Sequence, residues 1–266
     1  MLGIHRYGPT AGPTVVLLHS SQSNSGQWRG LIQSLAVKVQ IIAVDLLGYG
    51  QAPSHEVASS TFRFSHEIDR IIAAINSYAA GQPIHLVGHS YGGALALKLA
   101  VEQPFPVASL AVFEPVAFHL LPSDSAAAAE IKAVADNMES WSAAQATEQF
   151  VDYWNDTGYF QALPEKIQRI MVAQADKVNA DFSALMGESY SLADVARVQC
   201  PVLLLSGETS RLSAKTVAQL LQQALPQATA LALPVGHMGP VTAPQVVNPL
   251  LVDFLSAQLP APVSSA

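Results

Sequence analysis

Gly88-His89-Ser90-Tyr91-Gly92 sets a serine between two glycines, directly after the apolar run Ile84–Val87 and directly before the helical run Ala94–Ala100. A strand that turns so abruptly into a helix forces its middle residue into a strained backbone conformation, and the flanking glycines let neighbouring backbone approach. The Ser90 hydroxyl then projects above the strand end, with a helix N-terminus beneath it to favour developing negative charge. A serine hydroxyl is a poor nucleophile near neutral pH, so a base must take its proton as it attacks, and histidine suits that role. Of the eight histidines, His237 lies in Gly236-His237-Met238-Gly239-Pro240, a short loop after the last strand-like run, and would reach the same surface as Ser90. His19 follows the first long apolar run and reads as a structural residue of its loop. His85 reads as sheet packing, and His89 as fixed beside the nucleophile but aimed away from it. His5, His55 and His66 read as surface or satisfied polar residues.

The elements that must position these groups are short aliphatic runs, each closed by glycine, serine or proline and followed by a helical pattern. The runs are Thr14–Leu18, Gln40–Val44, Ile84–Val87, Ala108–Phe113, Val202–Leu205 and Thr229–Leu233. Such near-continuous runs mark parallel strands covered on both faces, hence an α/β fold. Residues 116–195 carry helical periodicity and no strand-like run. Stripes within Ser125–Met138, Ser142–Trp154 and Pro164–Val178 predict three helices. The economical division is an α/β core over 1–115 and 196–260, a helical cap over 116–195 above the carboxyl ends of the strands, and a flexible tail over 261–266.

The chain has 266 residues, half of them hydrophobic, which is enough for one large core. Only 12% are Asp, Glu, Lys or Arg and the net charge is −7, so no basic surface is expected for nucleic acid or an anionic membrane. The single cysteine, Cys200, excludes an internal disulfide and reads as a buried thiol, and no Cys/His cluster has zinc spacing. The N-terminus lacks a secretory pattern and no apolar segment reaches about 18 residues. These features predict a cytoplasmic protein, monomer or homodimer, whose partner is a small-molecule substrate and which uses no metal or cofactor.

Taken together, VVLLHSSQSNSGQW, VDLLGYG, GHSYGG, PVLLLSGE and VGHMGP resemble the α/β-hydrolase superfamily in order and spacing over almost the full chain. The resemblance implies a mostly parallel eight-stranded sheet flanked by helices, with the cap inserted after strand six. It also implies an oxyanion hole made by the backbone N–H of Tyr91 and of Ser21, the residue after His19-Ser20, where the family usually has His-Gly. Most members carry an acid in a Gly-x-x-Asp pattern after the penultimate strand. Here Gly207-Glu208-Thr209-Ser210 puts Ser210 at that place. One class of haloalkane dehalogenases instead has Glu after the strand that follows the nucleophile helix, and AVFEPVAF is similar to that arrangement. Glu114 is therefore the expected acid, with Glu208 the alternative. Glu114 also admits a plain reading as a carboxylate satisfied by backbone N–H groups, and Asp45 reads as a structural residue ordering its own loop.

Dehalogenases of this fold attack with aspartate, so Ser90 points to acyl chemistry. The expected activity is hydrolysis of an ester-type bond in a small, mostly neutral substrate through an acyl-enzyme, of the carboxylesterase type. His119, Phe118, Trp141, Trp154 and Met238 are candidate pocket residues. Two other readings stand beside it: a carbon–carbon bond hydrolase or cofactor-free perhydrolase on the same site, and a ligand-binding or signalling protein with vestigial activity.

Overall fold

Period-two alternation along the strands decides how the layers form, because successive side chains point to opposite faces. Val15, Leu17, Ile41, Ala43, Val87, Ala111, Leu203 and Leu205 pack on one face. Val16, Leu18, Ile42, Val44, Leu86, Leu110, Val112 and Leu204 pack on the other. The computed structural model describes residues 1–259; the expected tail, 261–266, lies outside them. The strands are β1 (Ile4–Tyr7), β2 (Thr14–Leu18), β3 (Gln40–Val44), β4 (Ile84–His89), β5 (Val107–Phe113), β6 (Val202–Gly207) and β7 (Thr229–Leu233). They form one sheet in the order β1-β3-β2-β4-β5-β6-β7. Only β1 runs antiparallel, against β3.

The helices before the long insertion are α1 (Arg29–Leu35), α2 (Phe64–Ala79) and α3 (Ser90–Glu102). Between β5 and β6 come α4 (Ala126–Ser140), α5 (Ala143–Trp154), α6 (Tyr159–Ala162), α7 (Glu165–Ala173), α8 (Ala175–Met186) and α9 (Leu192–Val195). The chain closes with α10 (Leu212–Ala224), α11 (Gly239–Thr242) and α12 (Pro244–Gln258). Leu31, Ile32 and Leu35 of α1 share one apolar layer with Val247, Leu251 and Leu255 of α12. Buried residues of α2, α3 and α10 join the opposite layer, which continues into the insertion.

Three expectations need correction. The described residues form seven strands rather than eight, and the insertion follows the fifth strand rather than the sixth. The antiparallel strand β1 was missed because Ile4-His5-Arg6-Tyr7 has no buried residue, as an edge strand permits. The pattern over Pro164–Val178 is also not one helix. Gln174, at φ −95° and ψ 3°, separates α7 from α8. Serines cap α4 and α5: Ser125 accepts from the N–H of Ala128 and Ser142 from that of Gln145.

Parallel pairing brings the functional strand ends to one edge. His89 of β4 is paired with Phe113 of β5, which is paired in turn with Leu205 of β6. Ser90 and Glu114 are thus the first residues beyond registered positions, and both have left-handed backbone, with φ +55° and +42°. Non-glycine residues held there store of order 1–3 kcal/mol each and persist only where the surroundings over-determine them. At the turn into α3, a Cβ on Gly88 would overlap the carbonyl oxygen of Gly92, and one on Gly92 would overlap that of His19. The second glycine thus lets α3 touch the loop after β2. Gly92→Ala is expected to lower unfolding free energy by about 3 kcal/mol in urea titrations, through forced overlap with rigid backbone. A loss under about 0.5 kcal/mol would show that the loop yields freely.

Candidate active site

His237 leaves the loop after β7 and is 2% exposed, with a different partner for each ring nitrogen. Its Nδ1 lies 2.6 Å from Glu114 Oε2. Its Nε2 lies 2.9 Å from Ser90 Oγ. A proton on Nδ1 satisfies the carboxylate and leaves Nε2 free to accept from the serine hydroxyl. The other oxygen of Glu114, itself 1% exposed, accepts from the Gly207 N–H at 2.7 Å. Both readings of Glu114 therefore meet in one side chain, which accepts from backbone and also holds the imidazole. Glu208 is exposed, its backbone N–H bonds Leu233, and it makes no bond to His237. Ser210, at the position where the family usually has its acid, is buried. With Thr209, Arg211, Asp156 and Trp154 it lines a polar cavity that also touches His237.

A buried polar chain that the sequence did not announce supports the imidazole from behind. The ring of His89 lies 2.8 Å, through Nε2, from the carbonyl oxygen of His237, to which it donates. Its Nδ1 accepts from the Gln27 amide at 3.1 Å. The carbonyl oxygen of Gln27 accepts from the hydroxyl of Ser20 at 3.0 Å and from its N–H at 3.3 Å. His89 therefore points away from the serine, as expected, yet is joined to the base through the base's own backbone. Burial and the neighbouring His237 push the His89 pKa well below its ordinary value. On the opposite side the indole of Trp154 covers His237, with ring centroids 3.9 Å apart and planes inclined by 31°.

The loop after β2 carries three further ties. His19 is fully buried, Nδ1 donating to the Ser20 carbonyl at 2.7 Å and Nε2 accepting from the Leu46 N–H at 2.9 Å. Burial lowers its pKa to about 4. Ser21 donates its hydroxyl to Asp181 at 2.6 Å, and Gln22, at φ +54°, donates its amide to the Met171 carbonyl at 2.9 Å. Asp45 is buried beneath the next loop. Burial alone would raise its pKa, but N–H groups of Gln51 and Ser25 and the ring of His5 outweigh that and hold it near about 2. Among the remaining histidines, His85 bonds Ser109, His55 bonds the Val57 carbonyl and His66 closes a capping box with Arg63.

Ser90, Ser21, His237, Trp154 and Met238 line one cavity of about 170 Å³. The insertion contributes Phe150, Leu163, Ile167 and Met171, and no Asp, Glu, Lys or Arg faces it. Three pocket candidates lie elsewhere. Phe118 stacks behind Trp154 at 6.4 Å, His119 packs edge-on against Tyr190 at 4.3 Å, and Trp141 is 46% exposed. Cys200 is half-buried and outside the cavity, with burial raising its thiol pKa. Tyr91 follows Ser90 in the first turn of α3 and is fully buried. No helix among the described residues is long and apolar enough to cross a membrane.

The model of the alpha/beta hydrolase family matches residues 15–250, and the chain belongs to that family. It is 32% identical over 114 residues to the lipase LipV of Mycobacterium tuberculosis, a match covering 43% of this chain and 41% of the lipase. It is 25% identical over 263 residues to the magnesium-chelatase 30 kDa subunit of Rhodobacter capsulatus, covering 93% and 88% of the two chains. A thermophilic esterase from Thermogutta terrifontis superposes with a TM-score of 0.75 at 20% identity, covering 97% of this chain and 94% of that one. This last likeness concerns the fold.

Neutral burial of His19 has a measurable consequence. The unfolded chain takes up its proton near pH 6.5 and the folded chain only near pH 4, so the stabilisation is complete above 6.5 and is lost as pH falls to about 4. The loss is about 3 kcal/mol from this ring. In His19→Gln the slope of unfolding free energy across that window should be shallower by up to about 1.4 kcal/mol per pH unit. An unchanged slope would show that His19 is not the titrating group.

Proposed function

We propose that this protein is a serine hydrolase that cleaves an ester-type bond in a small, mostly neutral acyl substrate. The observation that carries the reading is the continuous bonded path from the Ser90 hydroxyl through the His237 imidazole to the Glu114 carboxylate, at 2.9 and 2.6 Å. In the first step Ser90 Oγ forms a bond to the acyl carbon while its proton moves to His237 Nε2. The imidazolium that results is oriented and stabilised by the Glu114 carboxylate. The oxyanion is received by the backbone N–H groups of Tyr91 and Ser21, each donor worth about 3–4 kcal/mol in comparable chemistry. As the tetrahedral intermediate collapses, the bond to the leaving alcohol breaks and His237 gives that oxygen its proton. Water then attacks the acyl-serine, losing its proton to His237, and the acid departs with Ser90 restored.

The helical insertion acts as a cap that forms most of the acyl wall. A cavity of about 170 Å³ without charged groups suits an acyl portion near the size of a benzene ring or a short aliphatic chain. The carboxylesterase class is part of this proposal, supported by the uncharged pocket and by the lipase among the relatives. A second reading, a ligand-binding protein that keeps the fold, is supported by the relative that matches 93% of this chain, which is named for a chelatase subunit rather than an ester bond.

A fluorophosphonate probe separates the two. The hydrolase reading expects covalent labelling of the wild-type chain, abolished in Ser90→Ala; an unlabelled wild-type protein favours the binder. The role of the acid is tested independently. Glu114→Gln should lower kcat at least about a hundredfold with little change in KM, because orientation and imidazolium stabilisation matter chiefly in the transition state. Glu208→Gln should stay within about twofold of wild type, and the reverse ranking would reassign the acid.

A further inference from the structure

Beneath the loop after β2 lies a cluster of buried titratable side chains that the proposed reaction does not use. Lys177, Glu67 and Asp181 are 4%, 0% and 2% exposed. The Lys177 ammonium pairs with Asp181 one helical turn along α8, and with Glu67 of α2 at 3.1 Å. Glu67 in turn accepts from the Leu47 N–H at 3.0 Å. The ammonium also faces the rings of Phe62, Tyr49 and Tyr91 at 4.7, 4.9 and 4.9 Å. One oxygen of Asp181 accepts from Tyr49 at 2.7 Å and from Ser21 at 2.6 Å.

Stability does not account for this cluster. Taking each ion out of water costs several kcal/mol, and well-packed apolar side chains of similar volume usually serve as well or better. What the cluster does provide is a fixed point. Asp181 is held by an ion pair and a phenol, Lys177 by a second carboxylate and three rings, so neither can shift without breaking several buried contacts. Among the residues that this fixed point touches are Ser21, through its hydroxyl, and Tyr91, through its ring.

We propose that the buried Lys177–Asp181 pair of α8 is a positioning element for the oxyanion hole, acting through the Ser21 hydroxyl and the Tyr91 ring. The inference rests on the hydrolase reading, which assigns the oxyanion to the N–H groups of those two residues. The loop needs such a tie. Ser20 stands where the family usually has glycine, and Gln22 is held at φ +54° without glycine's freedom. Gln22 is itself tied to the insertion, at the Met171 carbonyl. Two consecutive residues of the loop are therefore anchored to the insertion rather than to the sheet that carries it. The oxyanion hole is complete only when α7 and α8 are docked.

Ser21→Ala tests this with the least disturbance. It retains the backbone N–H at position 21, the Lys177–Asp181 pair and the Tyr49 bond, and removes only the tie. With a short-chain p-nitrophenyl ester, kcat should fall about 10- to 100-fold while KM stays within about threefold, since a donor displaced by a fraction of an ångström fails chiefly in the transition state. The inhibition constant of a trifluoromethyl ketone matched to that ester should rise by a similar factor. Ser21→Thr, which keeps the hydroxyl, should recover kcat to within about threefold of wild type. A kcat for Ser21→Ala within threefold of wild type overturns the proposal, as does a threonine variant no better than alanine or a loss carried by KM. A wild-type protein that is neither active nor labelled by fluorophosphonate overturns the hydrolase reading and this inference with it. An active wild type with an unaffected alanine variant overturns the inference alone.

Discussion

The hydrogen bond between His237 and Glu114 joins the ends of two strands 123 residues apart in the chain, and the site can exist only if the backbone delivers both groups to it. An ionised carboxylate with 1% exposure is costly unless each oxygen finds a donor. Here the imidazole serves one oxygen and the Gly207 N–H the other. The glycine belongs to β6, so the strand that usually precedes the family's acid supplies a donor to the acid instead. Left-handed backbone at Glu114 turns its side chain out of the strand alternation and toward that position. Ser90 uses the same device at the neighbouring strand end. Two strained residues side by side are sustained by the register of β4, β5 and β6.

A second constraint is the satisfaction of polar groups that the site takes out of water. The path Ser20, Gln27, His89 and the His237 carbonyl is a closed sequence of donors and acceptors, and the neutral His89 ring is what allows one nitrogen to accept while the other donates. Trp154 closes the opposite face of the imidazole. Water is thereby kept from both sides of His237 except through the two cavities that meet there. Low local dielectric strengthens each remaining bond and penalises any that is broken.

Much of the sheet was legible because fully buried parallel strands leave uninterrupted aliphatic runs, as in Thr14–Leu18 and Gln40–Val44. The edge strand Ile4–Tyr7 was not, since an edge need not bury either face. Ser90 and His237 could be singled out because glycine punctuation around a strand end has few other physical uses. Glu114 needed the resemblance to another class of proteins, for nothing in AVFEPVAF distinguishes a carboxylate that turns toward an imidazole from one that merely accepts backbone N–H groups. Asp181 and Lys177 went unnoticed. They stand four apart on a helix, where an ion pair ordinarily reads as a solvated surface feature. Gln27 likewise carries no local signal of a buried role.

The sequence by itself determined six of the seven strands of the described residues, which serine sits at a strained strand-to-helix turn, and that a helical segment interrupts the sheet pattern, because these depend on periodicity and on the steric demands of glycine within a few residues. Only the tertiary structure decided which carboxylate meets His237, which aromatic residues of the insertion reach the cavity, and what holds the loop at Ser21. Those contacts join positions 90, 114, 181 and 237 across the strand ends, and their distances follow from strand register and helix packing, which no local pattern encodes.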